Sequence, residues 1–247
     1  MEMPQETLSI VIPAYNEEQR LPATLDQITA WWANWAGASI SLLEIVVVDD
    51  GSTDGTAALV ESGRFGALTR LLRNPGNRGK GYAVRNGMLS AEGDWILSTD
   101  ADLSAPIEEF SKLIEAARRE QAAVAIGSRA IDRSLIRVHQ PMLREYSGRA
   151  FNLVMRAATG LPFHDTQCGF KLFHRDAARE IFRRQLEDGF SFDVEDLVIA
   201  RELKLKAVEV PVVWSNVEGT KVSLAQGMKS FADLVRIVWN AVAGKYR

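Results

Sequence analysis

Two aspartates, Asp100 and Asp102, follow an apolar run that begins at Trp95. Two carboxylates at the carboxyl end of a buried strand suit a hard divalent cation that keeps coordination positions open for phosphate oxygens. The alternative is that Asp102 only helps to begin the next helix, with Ser104 as its N-cap and Pro106 in its first turn. The pattern therefore indicates either a metal site or a helix start.

A second acidic pair, Asp49 and Asp50, ends another apolar run. Carboxylates in this position could bind a base or the hydroxyls of a ribose. The alternative is a turn followed by a helix cap, which suits the residues just beyond the pair, Asp54 and Gly55. A turn explains less well why two carboxylates stand at the strand end itself, so we predict that Asp49 or Asp50 contacts a nucleotide.

The segment from Gly76 to Gly81 combines a glycine-rich backbone with Arg78 and Lys80, and a helical pattern follows it. Such a segment is suited to bind an anion such as phosphate, although it could also be a surface turn with solvated charges. It is not a P-loop, because Gly81 stands where Ser or Thr should follow the lysine. No GxGxxG motif follows the first strand, which disfavours a Rossmann dinucleotide site.

Alternating strand and helix patterns must position these residues. The predicted strands cover residues 8–13, 44–49, 69–73, 95–99 and 123–128, and the predicted helices cover residues 17–35, 56–63, 81–92 and 106–121. This alternation predicts an α/β fold with right-handed crossovers and a mostly parallel sheet flanked by helices on both faces. Ligands of such sheets bind outside the carboxyl ends of the strands, where all these polar clusters fall.

The second half of the chain has a less regular pattern. It contains two predicted helices and one strand, at residues 176–184, 194–203 and 207–214. Because Pro211 has no backbone N–H to donate, we expect this strand to be antiparallel or to lie at a sheet edge. We expect a catalytic domain over residues 1–230 and a C-terminal amphipathic helix over residues 231–247. The predicted apolar face of that helix consists of Phe231, Leu234, Val235, Val238, Trp239 and Val242.

The composition excludes several classes of protein. A net charge of -3 over 247 residues argues against a general nucleic-acid binder. The single cysteine, Cys168, excludes an intrachain disulfide framework and fits a reducing compartment. No apolar run approaches the length of about 18 residues that indicates a spanning helix, and no signal-peptide pattern precedes the first strand. We therefore expect a protein that neither spans a membrane nor is exported.

Five motifs, in the order PAYNEE, VVVDDGSTDGT, NRGKGYAVRNG, STDADLS and GSR, resemble those of family 2 glycosyltransferases with a GT-A fold. The resemblance covers nearly the whole chain. Three later segments are similar to the dolichyl-phosphate β-glucosyltransferase branch: residues 165–173, 192–195 and 210–214. Polyprenyl-phosphate mannosyltransferases are the nearest relatives of that branch, and they carry Gln where Ser104 stands here.

The resemblance implies a role for each matching residue. It implies that the nucleotide sugar is bound by Pro13, Ala14, Tyr15, Glu17, Asp49, Asp50, Gly79, Lys80, Asp100 and Ala101. Asp100 and Asp102 would hold Mg²⁺ or Mn²⁺ against the donor pyrophosphate, beside Gly79 and Lys80. Arg129 and Arg144 would bind the acceptor phosphate. The implied catalytic residues are Asp100, Asp102, Arg129 and Asp193.

A phosphate acceptor removes the need for a general base. Sugar hydroxyls have high pKa values and need one, whereas a phosphomonoester has a second pKa of about 6 and is already anionic near neutral pH. The three histidines, His139, His164 and His174, all lie outside the strand-end clusters. Asp193 and Glu195 remain candidate bases, although acidic residues are also common at a helix N-terminus.

We therefore predict a metal-dependent inverting transferase that moves glucose from UDP-glucose to a polyprenyl phosphate. It would act as a peripheral protein at the cytoplasmic face of a membrane, docked through residues 137–161 or the C-terminal helix. One alternative is a mannosyltransferase that uses GDP-mannose. A second is a sugar-1-phosphate nucleotidyltransferase, which would need a glycine-rich loop after the first strand. A third is a non-enzymic nucleotide-sugar sensor, which would not need Arg129 and Arg144.

Overall fold

The computed structural model describes residues 6–35, 39–138, 142–217 and 224–247, without the side chains of residues 142–147, 149–151 and 224–231. The strands are β1 (Glu6–Ala14), β2 (Ile40–Asp49), β3 (Thr69–Arg73), β4 (Trp95–Ser98), β5 (Val124–Ser128), β6 (Ile136–Val138), β7 (Lys171–His174), β8 (Ala207–Pro211) and β9 (Trp214–Ser215). The α-helices are α1 (Leu21–Asn34), α2 (Thr56–Glu61), α3 (Lys80–Ser90), α4 (Phe110–Glu120), α5 (Met142–Thr159), α6 (Arg175–Arg184), α7 (Phe192–Glu202) and α8 (Leu224–Val242). Two 3₁₀ helices cover Ile107–Glu109 and Arg133–Leu135.

Seven of the described strands form one sheet in the order β3-β2-β1-β4-β7-β5-β8, and β6 pairs with β9 in a smaller sheet. The large sheet is parallel except at β7, which runs antiparallel to both β4 and β5. The predicted α/β class and mostly parallel sheet are confirmed. Pro211 does lie in an edge strand, but that strand is parallel to β5, so the antiparallel alternative is wrong.

Helices cover both faces of the sheet because each central strand is apolar on both sides. In β1, Leu8, Ile10 and Ile12 belong to one core cluster, which also includes residues of α1 and α4. Val11 belongs to a second cluster with residues of α3, α6 and α7. Successive strand residues point to opposite faces, so the consecutive apolar residues Ile10, Val11 and Ile12 of β1 supply both clusters.

The strand β7 is the element that the sequence pattern does not reveal. It is four residues long and lies near the middle of the sheet, between β4 and β5. The run Lys171–His174 begins and ends in basic residues, and Lys171 is buried. A short strand that buries a lysine lacks the continuous apolar character by which central parallel strands are recognised.

The apolar residues of the C-terminal helix do not share the single face that was predicted for them. Leu234, Ile237 and Ala241 are buried in the second core cluster, whereas other apolar side chains of α8 are exposed. The exposed set is Val235 (70%), Trp239 (69%) and Val242 (81%). None of the helices in the described part of the chain combines the length and apolar character needed to span a membrane. The proposed boundary at residue 230 falls inside α8, and the two-part division stays a prediction.

Candidate active site

Polar segments meet at one edge of the sheet, where the parallel strands end. Ala14 at the end of β1 pairs with Asp49 at the end of β2. The backbone N–H of Thr99, just beyond β4, donates to the Val11 carbonyl at 3.0 Å. The segments that follow these three strands therefore lie side by side, as the strand order of an α/β sheet predicts.

The antiparallel direction of β7 adds a further segment to this edge. Lys171, the first residue of β7, pairs with Ser98 of β4 and with Ile126 of β5. The residues just before Lys171 therefore emerge beside the ends of the parallel strands. The N–H of Gly127 donates to the Phe170 carbonyl at 2.9 Å, which fixes this segment against β5.

Asp50 fastens the glycine-rich loop to the end of β2. Its Oδ1 accepts hydrogen bonds from the Asn74 side chain at 2.8 Å and the Arg78 backbone N–H at 3.0 Å, and its Oδ2 accepts from the Gly79 N–H at 2.8 Å. The side chain is only 4% exposed. These three hydrogen bonds satisfy both oxygens of a buried carboxylate, and through them Asp50 holds the glycine-rich loop in place.

Asp49 and the segment after β1 form the neighbouring part of the edge. Asp49 is buried, and its Oδ1 accepts from the Ser52 N–H at 3.0 Å. Asn16 has a positive φ of 54°, and its side-chain oxygen accepts from the Thr53 N–H at 2.8 Å. These contacts bind the two segments together and leave Tyr15 half-buried at their junction. Because Glu17 pairs with Arg20 at 2.7 Å in a turn, α1 begins at Leu21 rather than at residue 17.

Lys80 and Asp100 connect the glycine-rich loop to the end of β4. The Lys80 Nζ lies 2.6 Å from Asp100 Oδ1, and the two side chains are 24% and 34% exposed. Burial alone would lower the pKa of Lys80, but Asp100, Asp193 and Asp102 outweigh it and raise the pKa. Burial opposes ionisation of Asp100, yet Lys80 and other cations lower its pKa. Both groups therefore stay charged near neutral pH.

Asp102 lies in a turn rather than at a helix start. Its Oδ1 accepts hydrogen bonds from the Ser104 N–H at 3.0 Å and the Ser104 hydroxyl at 2.9 Å. Helical structure begins only at Ile107, and Ser104 is not its N-cap, so the structure does not support the helix-start alternative. Both turn bonds use one oxygen of Asp102, so they do not occupy Oδ2. The carbonyl of Ala101 accepts from Thr24 at 2.6 Å, which fixes the backbone between the two aspartates.

Gly169 keeps space beside the Asp100 carboxylate. A Cβ at this position would lie 2.3 Å from Asp100 Oδ2, so no side chain fits there without displacing the aspartate. Among the described residues, no group of three or more acidic, histidine or cysteine side chains could hold a metal ion. The metal assignment of Asp100 and Asp102 therefore stays a prediction, which rests on the preference of Mg²⁺ and Mn²⁺ for oxygen donors.

Arg129 is held by Asp165 at the end of β5. Its Nε and a terminal nitrogen contact the two Asp165 carboxylate oxygens at 2.6 and 2.8 Å, and its backbone N–H donates to the same carboxylate at 3.0 Å. The guanidinium carbon also lies 5.3 Å from the centre of the Trp214 ring. Glu209 in turn accepts from the Asp165 N–H at 2.8 Å. The guanidinium is thus fixed in one orientation and is 28% exposed.

Asp193 forms an ion pair with Lys171, and both side chains are nearly fully buried. The carboxylate that was a candidate base is therefore already paired with a cation. It still contributes to the electrostatics of the site, because it raises the pKa values of Lys80 and Arg129. Burial, together with Asp165, raises the pKa of the nearby Cys168 thiol to about 12, so this thiol is not a nucleophile near neutral pH.

Glu195, the other candidate base, accepts structural hydrogen bonds with both of its carboxylate oxygens. Its Oε2 accepts from the N–H groups of Leu186 and Glu187, and its Oε1 accepts from the Tyr246 hydroxyl at 2.7 Å. Of the remaining predicted residues, Arg144 lies in α5, but its side chain is outside the described residues. His139 is also outside them, whereas His164 is exposed and His174 is half-buried against Trp95.

Three residues at this edge were not singled out individually from the sequence: Asp165, Gly169 and Lys171. They fall within the segment 165–173, whose resemblance to one branch of glycosyltransferases was the available signal. Their contacts with Arg129, Asp100 and Asp193 depend on the antiparallel strand β7, which periodicity does not predict.

Solved structures with the same fold are glycosyltransferases. Glucosyl-3-phosphoglycerate synthase from Mycobacterium tuberculosis, in complex with Mn²⁺, UDP-glucose and phosphoglyceric acid, aligns with a TM-score of 0.66 and 19% identity over 94% of this chain and 80% of that one. Mannosyl-3-phosphoglycerate synthase from Rubrobacter xylanophilus aligns with a TM-score of 0.70 and 17% identity over 97% of this chain and 75% of its own. The predicted GT-A fold is confirmed.

The model of the family described as glycosyl transferase family 2 matches residues 9–182, and the chain belongs to this family. A dolichyl-phosphate beta-glucosyltransferase of Drosophila melanogaster is 40% identical over 89% of this chain and 70% of its own length. A protein of the same name from Trichomonas vaginalis is 36% identical over 95% of this chain and 73% of its own. The yeast protein of that name, from Saccharomyces cerevisiae, is 35% identical over 97% and 76%.

Proposed function

We propose that this glycosyltransferase moves glucose from UDP-glucose to a polyprenyl phosphate of the dolichyl type, with inversion at the anomeric carbon. The observation that carries the proposal is the ion pair between Lys80 and Asp100, which joins an anion-binding loop to a two-aspartate motif. Arg129 lies at the same sheet edge with a fixed orientation. Relatives with 35–40% identity are named dolichyl-phosphate beta-glucosyltransferases, which supports transfer of glucose to a dolichyl-type phosphate.

The donor would lie along the ends of β1, β2 and β4. We propose that Tyr15, Glu17 and Asp49 contact the base and ribose, and that Pro13 and Ala14 contribute the adjacent backbone. The diphosphate would lie at the N-terminus of α3, where Gly79 and Lys80 stand. Backbone N–H groups at a helix N-terminus and a lysine ammonium both attract the negative charge of phosphate. Asp50 contributes indirectly, by holding that loop.

Asp100 and Asp102 would hold Mg²⁺ or Mn²⁺, for which two carboxylates and donor phosphate oxygens are a suitable set of ligands. When bound, such an ion neutralises negative charge on the diphosphate that leaves. The solved M. tuberculosis relative contains Mn²⁺ together with UDP-glucose, which supports a divalent ion as the cofactor. Lys80 adds a fixed positive charge on the protein side of the same group.

The acceptor phosphate would be positioned by Arg129, together with Arg144. One acceptor oxygen attacks the anomeric carbon of glucose on the face opposite UDP, and a new carbon–oxygen bond forms. The bond between the anomeric carbon and the diphosphate oxygen breaks, and its electron pair leaves with UDP. The acceptor oxygen is already anionic, so the step needs no general base. Asp193 therefore acts through its charge and its pair with Lys171.

A lipid acceptor places the reaction at a membrane surface. We propose that the protein binds the cytoplasmic face of a membrane peripherally, through the exposed side of α8 and the segment of residues 137–161. The exposed residues described between 232 and 247 are apolar or basic, whereas Asp233 is buried. Exposed Trp with neighbouring cations is typical of surfaces that bind anionic lipid headgroups.

A thermal-shift screen of donors tests the proposal. UDP-glucose, UDP, GDP-mannose and GDP would each be added with and without Mn²⁺. We expect the largest increase in melting temperature with UDP-glucose and Mn²⁺, because a ligand that binds only the folded state stabilises it. A larger shift with GDP-mannose would assign the protein to mannosyl transfer instead. No shift with any nucleotide would contradict the proposed donor site.

A further inference from the structure

Residues 185–189, the bridging segment, connect α6 to α7 and lie against the start of α3. The Tyr82 N–H donates to the Asp188 carbonyl at 3.2 Å. The Gln185 side-chain amide donates to the carbonyls of Gly81 at 3.0 Å and Glu187 at 2.7 Å. The bridging segment is therefore bonded directly to the loop that carries Lys80.

Two glycines allow this close approach. A Cβ at Gly79 would lie 2.4 Å from the Asp188 carbonyl oxygen, and one at Gly81 would lie 2.5 Å from the Glu187 carbonyl oxygen. Contacts this short with rigid backbone cannot be relieved by a small side-chain movement. The position of the bridging segment therefore determines where the backbone around Lys80 can lie.

The C-terminal residues hold the bridging segment from its other side. Glu195 Oε2 accepts from the backbone N–H groups of Leu186 at 3.0 Å and Glu187 at 2.7 Å. Its Oε1 accepts from the hydroxyl of Tyr246 at 2.7 Å. Glu195 and Tyr246 are both 0% exposed. A hydrogen bond to a buried carboxylate is stronger than one between neutral groups, so Tyr246 is a firm attachment.

Arg236 of α8 provides a second attachment. Its guanidinium contacts both carboxylate oxygens of Glu187 at 2.5 Å and one oxygen of Asp233 at 2.7 Å. Glu187 is 2% exposed and Asp233 is 5% exposed. Ser191, just before α7, donates to the other Asp233 oxygen at 3.2 Å. Two-point contact between Arg and a carboxylate fixes orientation as well as distance.

We infer that the C-terminal segment positions the donor-phosphate loop, with Tyr246 and Arg236 as positioning residues for Lys80, an assignment that rests on the proposed function. Among the described residues, neither forms a hydrogen bond or an ion pair with the loop. They act through Glu195 and Glu187, which hold the bridging segment against the loop. Loss of either attachment should therefore weaken donor binding and leave acceptor binding unchanged, since Arg129 is held separately by Asp165.

The test uses Tyr246→Phe, which removes the hydroxyl and keeps the ring, and Arg236→Gln. Arg183→Gln is the matched control, because Arg183 is an exposed arginine of α6, just before the bridging segment, and pairs with Glu180 at 3.7 Å. Binding of UDP with Mn²⁺ would be measured by calorimetry, and KM for UDP-glucose and for the lipid phosphate by kinetics. We expect the Kd of UDP and the KM of UDP-glucose to rise about threefold to tenfold with Tyr246→Phe, the effect of one lost hydrogen bond. The rise should be at least as large with Arg236→Gln, which removes a two-point ion pair with Glu187.

The outcomes distinguish a failure of the proposed function from a failure of the positioning role. If the wild-type protein does not bind UDP, the proposed function fails. If it binds UDP and both test variants bind equally well, the positioning role of the C-terminal segment is wrong. Equal rises in both KM values, measured well below each melting temperature, would indicate general destabilisation and would also overturn it. If Tyr246→Phe does not fold, Arg236→Gln provides the same comparison.

Discussion

Asp49 and Asp50 are neighbours in the sequence, yet their carboxylates have different surroundings. Asp50 accepts three hydrogen bonds from the segment that carries Asn74, Arg78 and Gly79. Asp49 accepts one backbone hydrogen bond, from Ser52. The sequence predicts two acidic groups at the end of a strand, but it cannot assign the partners of Asp50. These come from a segment about 25 residues further on, whose position depends on the completed sheet.

Asp102 offers a direct test of the two-aspartate motif at the level of one residue. Asp102→Asn keeps the side-chain oxygen that accepts from Ser104 but removes the negative charge. We expect turnover to fall by about 100-fold or more, the size expected when one electrostatic contact in a transition state is lost. Turnover would be measured at saturating donor over a range of Mn²⁺ concentrations, and the melting temperature should change little.

Ser104→Ala is the matched control for this variant. It removes the hydroxyl contact to Asp102 and keeps the charge. Its turnover should stay close to that of the wild-type protein. If Ser104→Ala and Asp102→Asn lost activity equally, the turn and not the charge would be the important feature, and the metal assignment of Asp102 would be wrong.

The buried carboxyl group of Asp196 should make the stability of the protein depend on pH. It is 1% exposed, and neither carboxylate oxygen has a hydrogen-bond partner among the described residues. Burial raises its pKa well above the usual 3.8; Asp193 and Glu195 add to this rise, and Lys171 and Arg85 oppose it. The folded state thus holds a proton that the unfolded chain releases, so this group destabilises the fold increasingly as the pH rises above 3.8.

Asp196→Asn removes this titration. The melting temperature of the variant relative to that of the wild-type protein should therefore be more favourable at about pH 8 than at about pH 5. Each kcal/mol corresponds to about 2–4 °C for a chain of this size. Calorimetric melting curves at the two pH values measure the difference. An equal difference at both values would show that Asp196 does not titrate in this range.

At the level of secondary structure, the parallel strands could be predicted and β7 could not. Continuous apolar residues in β1, β2, β4 and β5 identify buried strands because both of their faces are covered. Their order along the chain then predicts which polar segments share an edge. The strand β7 is short, contains a buried lysine and runs antiparallel. The part of the site that precedes it could be found only through resemblance to known sequences.

The glycine-rich loop makes a prediction that depends on close packing. Gly79 has a φ of 106°, and a Cβ there would lie 2.4 Å from the Asp188 carbonyl oxygen. We expect Gly79→Ala to weaken UDP binding by about tenfold, equivalent to about 1.4 kcal/mol. Calorimetric titration with UDP and Mn²⁺ measures this. Gly63→Ala is a suitable control, since Gly63 has a φ of 73° but nothing within 4 Å of the added Cβ.

Both glycine variants carry the conformational cost of a positive φ. The cost is larger at Gly79, whose φ of 106° and ψ of 158° are essentially restricted to glycine, and Gly79→Ala also adds the clash. Gly63→Ala should therefore lose some stability and bind UDP normally. If Gly79→Ala also bound UDP normally, the loop would not be the binding site for the diphosphate.

The exposed face of α8 predicts membrane binding. Trp239 is 69% exposed between Val235 and Val242, one helical turn away on either side. We expect the wild-type protein to sediment with vesicles that contain anionic lipid, less so at high salt, because part of the attraction is electrostatic. Trp239→Glu should reduce sedimentation, since it places a charge in the apolar face.

Leu68→Glu is the control for vesicle binding, because Leu68 is 48% exposed but lies between α2 and β3. It should sediment like the wild-type protein. If the wild-type protein stays in the supernatant, peripheral membrane association is wrong. If it sediments and Trp239→Glu does so equally, α8 is not the surface that contacts the membrane.

For the whole molecule, the fold and the family follow from different kinds of information. The alternation of apolar strands and helices is enough to predict a doubly covered parallel sheet with a site at its carboxyl edge. It does not predict the reaction, because many reactions use such sheets. The motifs PAYNEE and STDADLS, read in order, supply the family. The proposed contact of Arg144 with a lipid phosphate involves a side chain that lies outside the described part of the structure.

Transfer of radiolabelled glucose to dolichyl phosphate tests the central claim most directly. Purified protein would be incubated with labelled UDP-glucose and Mn²⁺, with and without the lipid phosphate, and labelled GDP-mannose would serve as the competing donor. We expect labelled lipid only when UDP-glucose and dolichyl phosphate are both present, and nuclear magnetic resonance should show the β configuration that inversion of an α-linked donor produces. The account would be contradicted by the α configuration, by faster transfer from GDP-mannose, or by no labelled lipid from a protein that binds UDP.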